Sequence, residues 1–260
     1  MKTPLIAAAL AIATVGPAFA NTNIADSSSG GSLVLNVIDA AAGTSYVLDL
    51  SAGAGNSGNH VQTFSGGQAQ AFNLTGDANW TAFAASVLSG DEVQYDVQAF
   101  ANPLVQPTAL ITSNAPTGTT IGMVGATNNL QLRNSFGFAD QYIHAVNSLP
   151  TASTSSLFAT ISDLGIDNFG GPFNLPGFPP MAADIGTALN FYKLTQSAPT
   201  GLGKATVTQF SGNWTLTTDG QLTYTPVPLP APLTLLLSGF ALLGILTQRR
   251  NRDENRLAWM

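Results

Sequence analysis

The sequence predicts a mainly-β protein: an antiparallel β-sandwich, jelly-roll-like, with one short helix. A signal peptide precedes it and a transmembrane helix follows it. Three observations predict this. Many short segments alternate apolar and polar residues with the period of two that a half-buried strand needs. Gly-, Asn- and Asp-rich turns separate them. Only one stretch carries an apolar stripe at helical spacing. The span from Ser32 to Pro226 is long enough for one sizeable core, and all-β domains often run to this length as one unit.

The strands follow in order. Ser32 to Asp39 alternates Leu33, Leu35 and Val37 against Val34, Asn36 and Ile38. Ala40 to Gly43 is a turn, and Thr44 to Leu50 returns as the second arm of a hairpin. Ser51 to Gly67 is rich in Gly, Ser and Asn and reads as loop. Gln68 to Leu74 and Asn79 to Phe83 are short strands split by Thr75-Gly76-Asp77. Glu92 to Phe100 is the clearest strand, with Val93, Tyr95, Val97 and Ala99 against Gln94, Asp96 and Gln98. Ala109 to Thr112 is another.

The helical stripe is Phe138, Tyr142, Ala145, Val146 and Leu149, closed by Pro150, with Asp140, Gln141, His144, Asn147 and Ser148 opposite. Gly165 to Met181 is too dense in Gly and Pro for a regular element, so Phe169, Phe173 and Phe178 are expected to pin a long loop. Ala188 to Thr195, Ala205 to Phe210, Gly212 to Thr217 and Gln221 to Thr225 complete the strands. Asp219-Gly220 marks the last hairpin.

The ends read as addresses. Lys2, the apolar run Leu5 to Val15, the breakers Gly16-Pro17 and the Ala18-Phe19-Ala20 site form a secretory signal peptide over residues 1–20, cleaved after Ala20 by signal peptidase. Asn21 to Gly31 is a Ser/Gly lead-in expected to be flexible. At the other end, Val227-Pro228-Leu229-Pro230 precedes an apolar run over 231–247, then Arg249 and Arg250. As a helix that run rises about 25 Å, enough for a thin bilayer. The Arg pair predicts a cytoplasmic C-terminus, with 253–260 as its tail.

Pro-x-Pro, a short Leu-rich span and an Arg cluster, in that order, resemble the PEP-CTERM sorting signal of Gram-negative bacteria. The resemblance covers 227–252. Leu229 stands where the usual signal has Glu, as in VPLPA-type tails. It implies that a membrane exosortase cuts near Pro228 and Pro230 and passes on or releases the ectodomain. The prolines favour an extended backbone that a protease can grip. The chain is thus expected to cross the inner membrane, stay anchored briefly, and end at the cell surface or outside it.

Composition limits the chemistry. The chain has 260 residues, no Cys and 2 His, so disulfides, thiolate zinc sites and a Cys nucleophile are excluded. Charged residues make up 8%, against about a quarter in an ordinary soluble domain. From 21 to 226 only Arg133, Lys193 and Lys204 oppose twelve acids, a net of −9. Phosphate backbones need a basic face, so nucleic acid is not an expected partner. The catalytic motifs G-x-S-x-G and H-E-x-x-H and the EF-hand loop are absent. Asp140 stands one turn from His144, a possible acid–His pair on a solvated helix face.

Two binding candidates remain. Asp91, Glu92 and Asp96 are hard carboxylates at a loop end, a set that suits calcium, the one cofactor the sequence leaves open. Trp80 and Trp214 each sit in an Asn-Trp-Thr triplet, and an exposed indole would stack on a sugar face. The leading expectation is a non-enzymatic structural protein of the cell surface or extracellular matrix, associated with exopolysaccharide or biofilm. The alternatives are a glycan- or calcium-binding surface module and a secreted hydrolase.

Overall fold

The computed structural model describes residues 24–52, 59–101, 107–114, 127–149, 155–165, 180–198 and 203–227. The signal peptide with Ala18 and Ala20, Phe169, Phe173 and Phe178, the tail residues Pro228, Leu229 and Pro230, the 231–247 run, Arg249 and Arg250 lie outside the described residues. Among the described residues no helix is long and apolar enough to cross a membrane.

Among the described residues ten strands join in one antiparallel sheet. They are β1 (Val34–Asp39), β2 (Thr44–Asp49), β3 (Gln70–Asn73), β4 (Val93–Ala101) and β5 (Thr108–Ser113). Then come β6 (Ser156–Thr160), β7 (Ala183–Asp184), β8 (Leu189–Thr195), β9 (Thr206–Leu216) and β10 (Gln221–Pro226). The spatial order is β3-β10-β9-β8-β5-β4-β1-β2-β6, with β7 paired to the start of β4. The antiparallel, mainly-β class is as expected. The hydrogen-bonded pairing runs through one curled sheet.

Among the described residues three α-helices accompany the sheet: α1 (Ala78–Ser86), α2 (Asn129–Ser148) and the single turn α3 (Ile161–Leu164). The sheet curls around a core built from both of its halves, with Leu35, Tyr46 and Leu48 on one side and Phe191, Trp214 and Tyr224 on the other. Helix α1 bridges the gap. Its Trp80 meets Tyr46 of β2 edge-on at 5.2 Å, and the β9–β10 turn packs on the same indole. A Cβ on Gly220, which has φ +77°, would stand 2.7 Å from Trp80 Nε1.

The outer face of the curl is covered as well. Helix α2 lies there, with Leu132, Phe136 and Ala139 over Phe100, Ile111 and Leu194, and Tyr142, Ile143 and Val146 over Val34, Val47 and Leu157. Every residue of β1 and β2 is therefore buried, although their sequences alternate.

Several expectations are corrected. Asn79 to Phe83 is helical. Asp77 caps it by accepting from the backbone of Asn79 and Trp80, and Trp80 and Phe83 bury one face at i, i+3 spacing. The helix expected around Phe138 to Leu149 starts at Asn129, after an Asn128–Gln131 capping box. Its buried stripe runs through Leu132, Phe136, Ala139, Ile143 and Val146, and Phe138 is 51% exposed. The two strands expected from Ala205 to Thr217 are one, β9, with a register shift opposite Asn190/Tyr192. The lead-in is docked from Ile24 onward: Ile24 exchanges two bonds with Asn147, and Ser27 donates its N–H and hydroxyl to Asp140 at 2.8 and 2.7 Å. Strands β6 and β7 had no counterpart in the sequence reading.

Candidate functional site

The acidic turn after α1 opens a groove. The helix ends at Val87, and Gly90 at φ +101° turns the chain toward β4. The turn is tied by Leu88 N–H donating to Asp91 Oδ2 at 2.8 Å and Asp91 N–H to Leu88 O at 3.1 Å. Opposite it, β7 docks on β4 in the pairs Gln94↔Asp184 and Tyr95↔Ala183. Ile185 N–H continues that ladder to Val93 O at 3.0 Å.

Between these elements lies a groove of about 390 Å³. Ligand pockets span roughly 300–1,000 Å³, so it has room for a small ligand. Trp80, Phe83, Val87, Val93 and Ile185 give it apolar lining, and Asp91, Glu92, Asp184 and Thr218 add polar groups. Among the described residues no Lys, Arg or His lines it. Shape and negative charge are what it offers a ligand.

The structure thus brings together three residues that the sequence put in separate candidates: Asp91 and Glu92 from the carboxylate set, and Trp80 from the aromatic pair. It adds Asp184, which the sequence reading missed. Nothing marked Asp184, because β7 is two residues long and follows a Gly/Pro-rich stretch.

Asp96 is not part of the groove. Four residues along an extended strand carry it about 13 Å from Glu92, and it is wholly buried on the outer face beneath α2, where it accepts from Asn36. Among the described residues no group of three or more His, Asp or Glu is gathered closely enough for a metal ion. The three carboxylates first considered for calcium therefore do not converge.

Neither indole is presented as a platform. Trp80 is 6% exposed, and Trp214 is fully enclosed by Phe64, Phe72, Phe191 and Tyr224. Asn79 is turned to β6, donating to the backbone and hydroxyl oxygens of Ser156. The Asp140–His144 pair does not form. Asp140 holds Ser27, and the exposed His144 lies 3.3 Å from Asp26.

No family model, curated protein or solved structure matches this chain.

Proposed function

We propose that this chain is an exported, non-enzymatic structural protein of the cell surface or extracellular matrix, delivered by signal peptidase at one end and an exosortase at the other. The observation that carries the reading is the order Pro228-Leu229-Pro230, apolar run, Arg249-Arg250. Where the folded unit stops also supports it. Its contacts close at Pro226, the last residue of β10, and Val227 is 57% exposed. A protease acting on the Pro-x-Pro segment would cut next to the ectodomain and leave the sheet whole. The jelly-roll-like closure of the curled sheet belongs to the same proposal. A domain with three basic residues against twelve acids in its sequence resists adhesion to anionic lipid and suits neutral or cation-bridged exopolysaccharide.

Fractionation of the native host tests this. The ectodomain is expected in the matrix or surface fraction, and in the membrane fraction of a strain lacking its exosortase. An unchanged distribution in that strain would contradict the reading.

The groove favours a second reading, a ligand-binding surface module. Its test is thermal melting with millimolar calcium and, separately, with the host's exopolysaccharide. A ligand that binds only the folded state at a hundred times its Kd stabilises by about 2.7 kcal/mol. A melting temperature unmoved by either addition would remove this reading.

A further inference from the structure

A polar seam runs under α2, between the two apolar clusters that hold the helix on the sheet. Asn36 of β1 and Asp96 of β4 are register partners, and Gln98 follows on the same face of β4. All three are buried, Asp96 completely. Tyr142 of α2 donates its hydroxyl to Asn36 Oδ1 at 2.8 Å, and Asn36 Nδ2 donates to Asp96 Oδ1 at 2.7 Å. Gln98 Nε2 points at the same Oδ1 from 3.4 Å. The helix is thus tied to β4 through β1 by one chain of side-chain hydrogen bonds.

Two atoms in this seam are left over. Asp96 Oδ2 and Gln98 Oε1 are both buried without a hydrogen-bond partner. Both are acceptors, so they cannot satisfy each other while Asp96 is ionised. A single proton on Oδ2 changes that. It makes Oδ2 a donor, and Gln98 Oε1 is the orphaned acceptor on the neighbouring amide head. With Nε2 already facing Oδ1, the two bonds close the ring that a carboxylic acid forms with a primary amide.

We propose that Asp96 is protonated in the folded chain, closing an acid–amide ring with Gln98, and that this ring is a clasp that grips α2 and loosens when the proton leaves. The surroundings favour the neutral form. Burial raises the Asp96 carboxyl to about 7 against the partial opposition of the Asn36 bond. The titratable groups facing the seam are mostly acids. From α2 come Tyr142, pushed up by its burial and then by the charge of Asp96, and Asp140, held by Ser27. From the lead-in comes Asp26, paired with His144 of α2. Asp140, Asp26 and Tyr142 line a cavity of about 20 Å³ shared with Asn36 and Gln98. Asp184 of β7 is reached through Gln94, on the same face of β4 as Asp96. Asp39 lies three residues further along β1, on its opposite face. The nearby side chain of β5, Ser113, does not titrate and donates to Pro180 O.

The sign follows. An aspartate free in the unfolded chain titrates at about 3.9, so the folded chain holds the extra proton between about 4 and about 7. Stability is greatest at the acid end of that window and falls as pH rises through it. From pH 5 to pH 8 the folding equilibrium constant is expected to drop about a hundredfold through this group alone. Asp49, raised by burial against bonds from Ser51 and Ser32, adds a slope of the same sign.

The test uses the full-length chain labelled with carbon-13 at the Asp carboxyls. The Asp96 signal is expected to titrate near neutrality, and a midpoint in the ordinary carboxylate range would overturn the proposal. A second arm uses Asp96→Asn, whose amide places a permanent donor where the proton would be. The native chain should lose melting temperature between pH 5 and pH 8, and the α2 amides should exchange faster than those of β9 and β10 after correction for intrinsic rates. The variant should keep only the shallower slope left by Asp49, with α2 equally protected at both pH values. A variant as steep as the native chain, or an α2 as protected at pH 8 as at pH 5, would also overturn it.

Discussion

At the scale of single residues, Asp77 does two jobs at once. It caps α1, and its Oδ2 accepts from the buried Tyr46 hydroxyl at 3.0 Å. Burial raises the Tyr46 phenol, and the neighbouring Asp77 charge raises it further, so the hydroxyl stays a donor. Asp77→Ala should cost about 1 kcal/mol for the cap and about 1–3 kcal/mol more for the phenol left without an acceptor. In a Tyr46→Phe background the same change should cost only the cap. Urea unfolding of the four proteins of that cycle measures the difference, and equal costs in both backgrounds would count against the double role.

Gly31 offers a backbone counterpart. It has φ +65°, and a Cβ there would stand 2.1 Å from Phe100 O. Gly31→Ala should destabilise by about 2 kcal/mol or more. A melting temperature within a degree of the native value would show that the docked lead-in is not held as described.

At the scale of elements, α2 is the piece that makes the sheet two-sided. The Asn128–Gln131 capping box fixes where it begins, so Asn128→Ala should cost about 1 kcal/mol, read by urea unfolding. Trp214→Ala, deep between β8 and β10, should cost about 3–5 kcal/mol, a large share of the roughly 5–15 kcal/mol of an ordinary domain, read by urea unfolding.

The strands legible in the sequence are those whose alternation is long and whose turns are marked, β1–β2 and β4 above all. The helix α1 was misread because five residues from Asn79 to Phe83 carry too little periodicity to separate a strand from a helix. The capping side chain of Asp77 was the available signal. The polar face of β4 suggested solvent at Asp96, since alternation shows which residues share a face and not what covers it. The cover is α2, which arrives from 33 positions further along the chain. The groove was half legible. Trp80, Asp91 and Glu92 were each visible as candidates, but their meeting depends on α1 folding as a helix and on β7 docking against β4, and neither carried a pattern of its own.

At the scale of the whole molecule, a curled, acidic β-domain is followed in sequence by Pro-x-Pro, an apolar run and an Arg pair, the order on which the proposed sorting rests. Peptide mass spectrometry on the protein purified from its native host tests that sorting most directly. Abundant peptides from Ile24 to Pro226 and none beyond about Pro230 are expected, together with a mature N-terminus at Asn21. Recovery of the Leu257–Met260 peptide with the ectodomain, in molar proportion, would contradict it and leave a permanently anchored surface protein in its place.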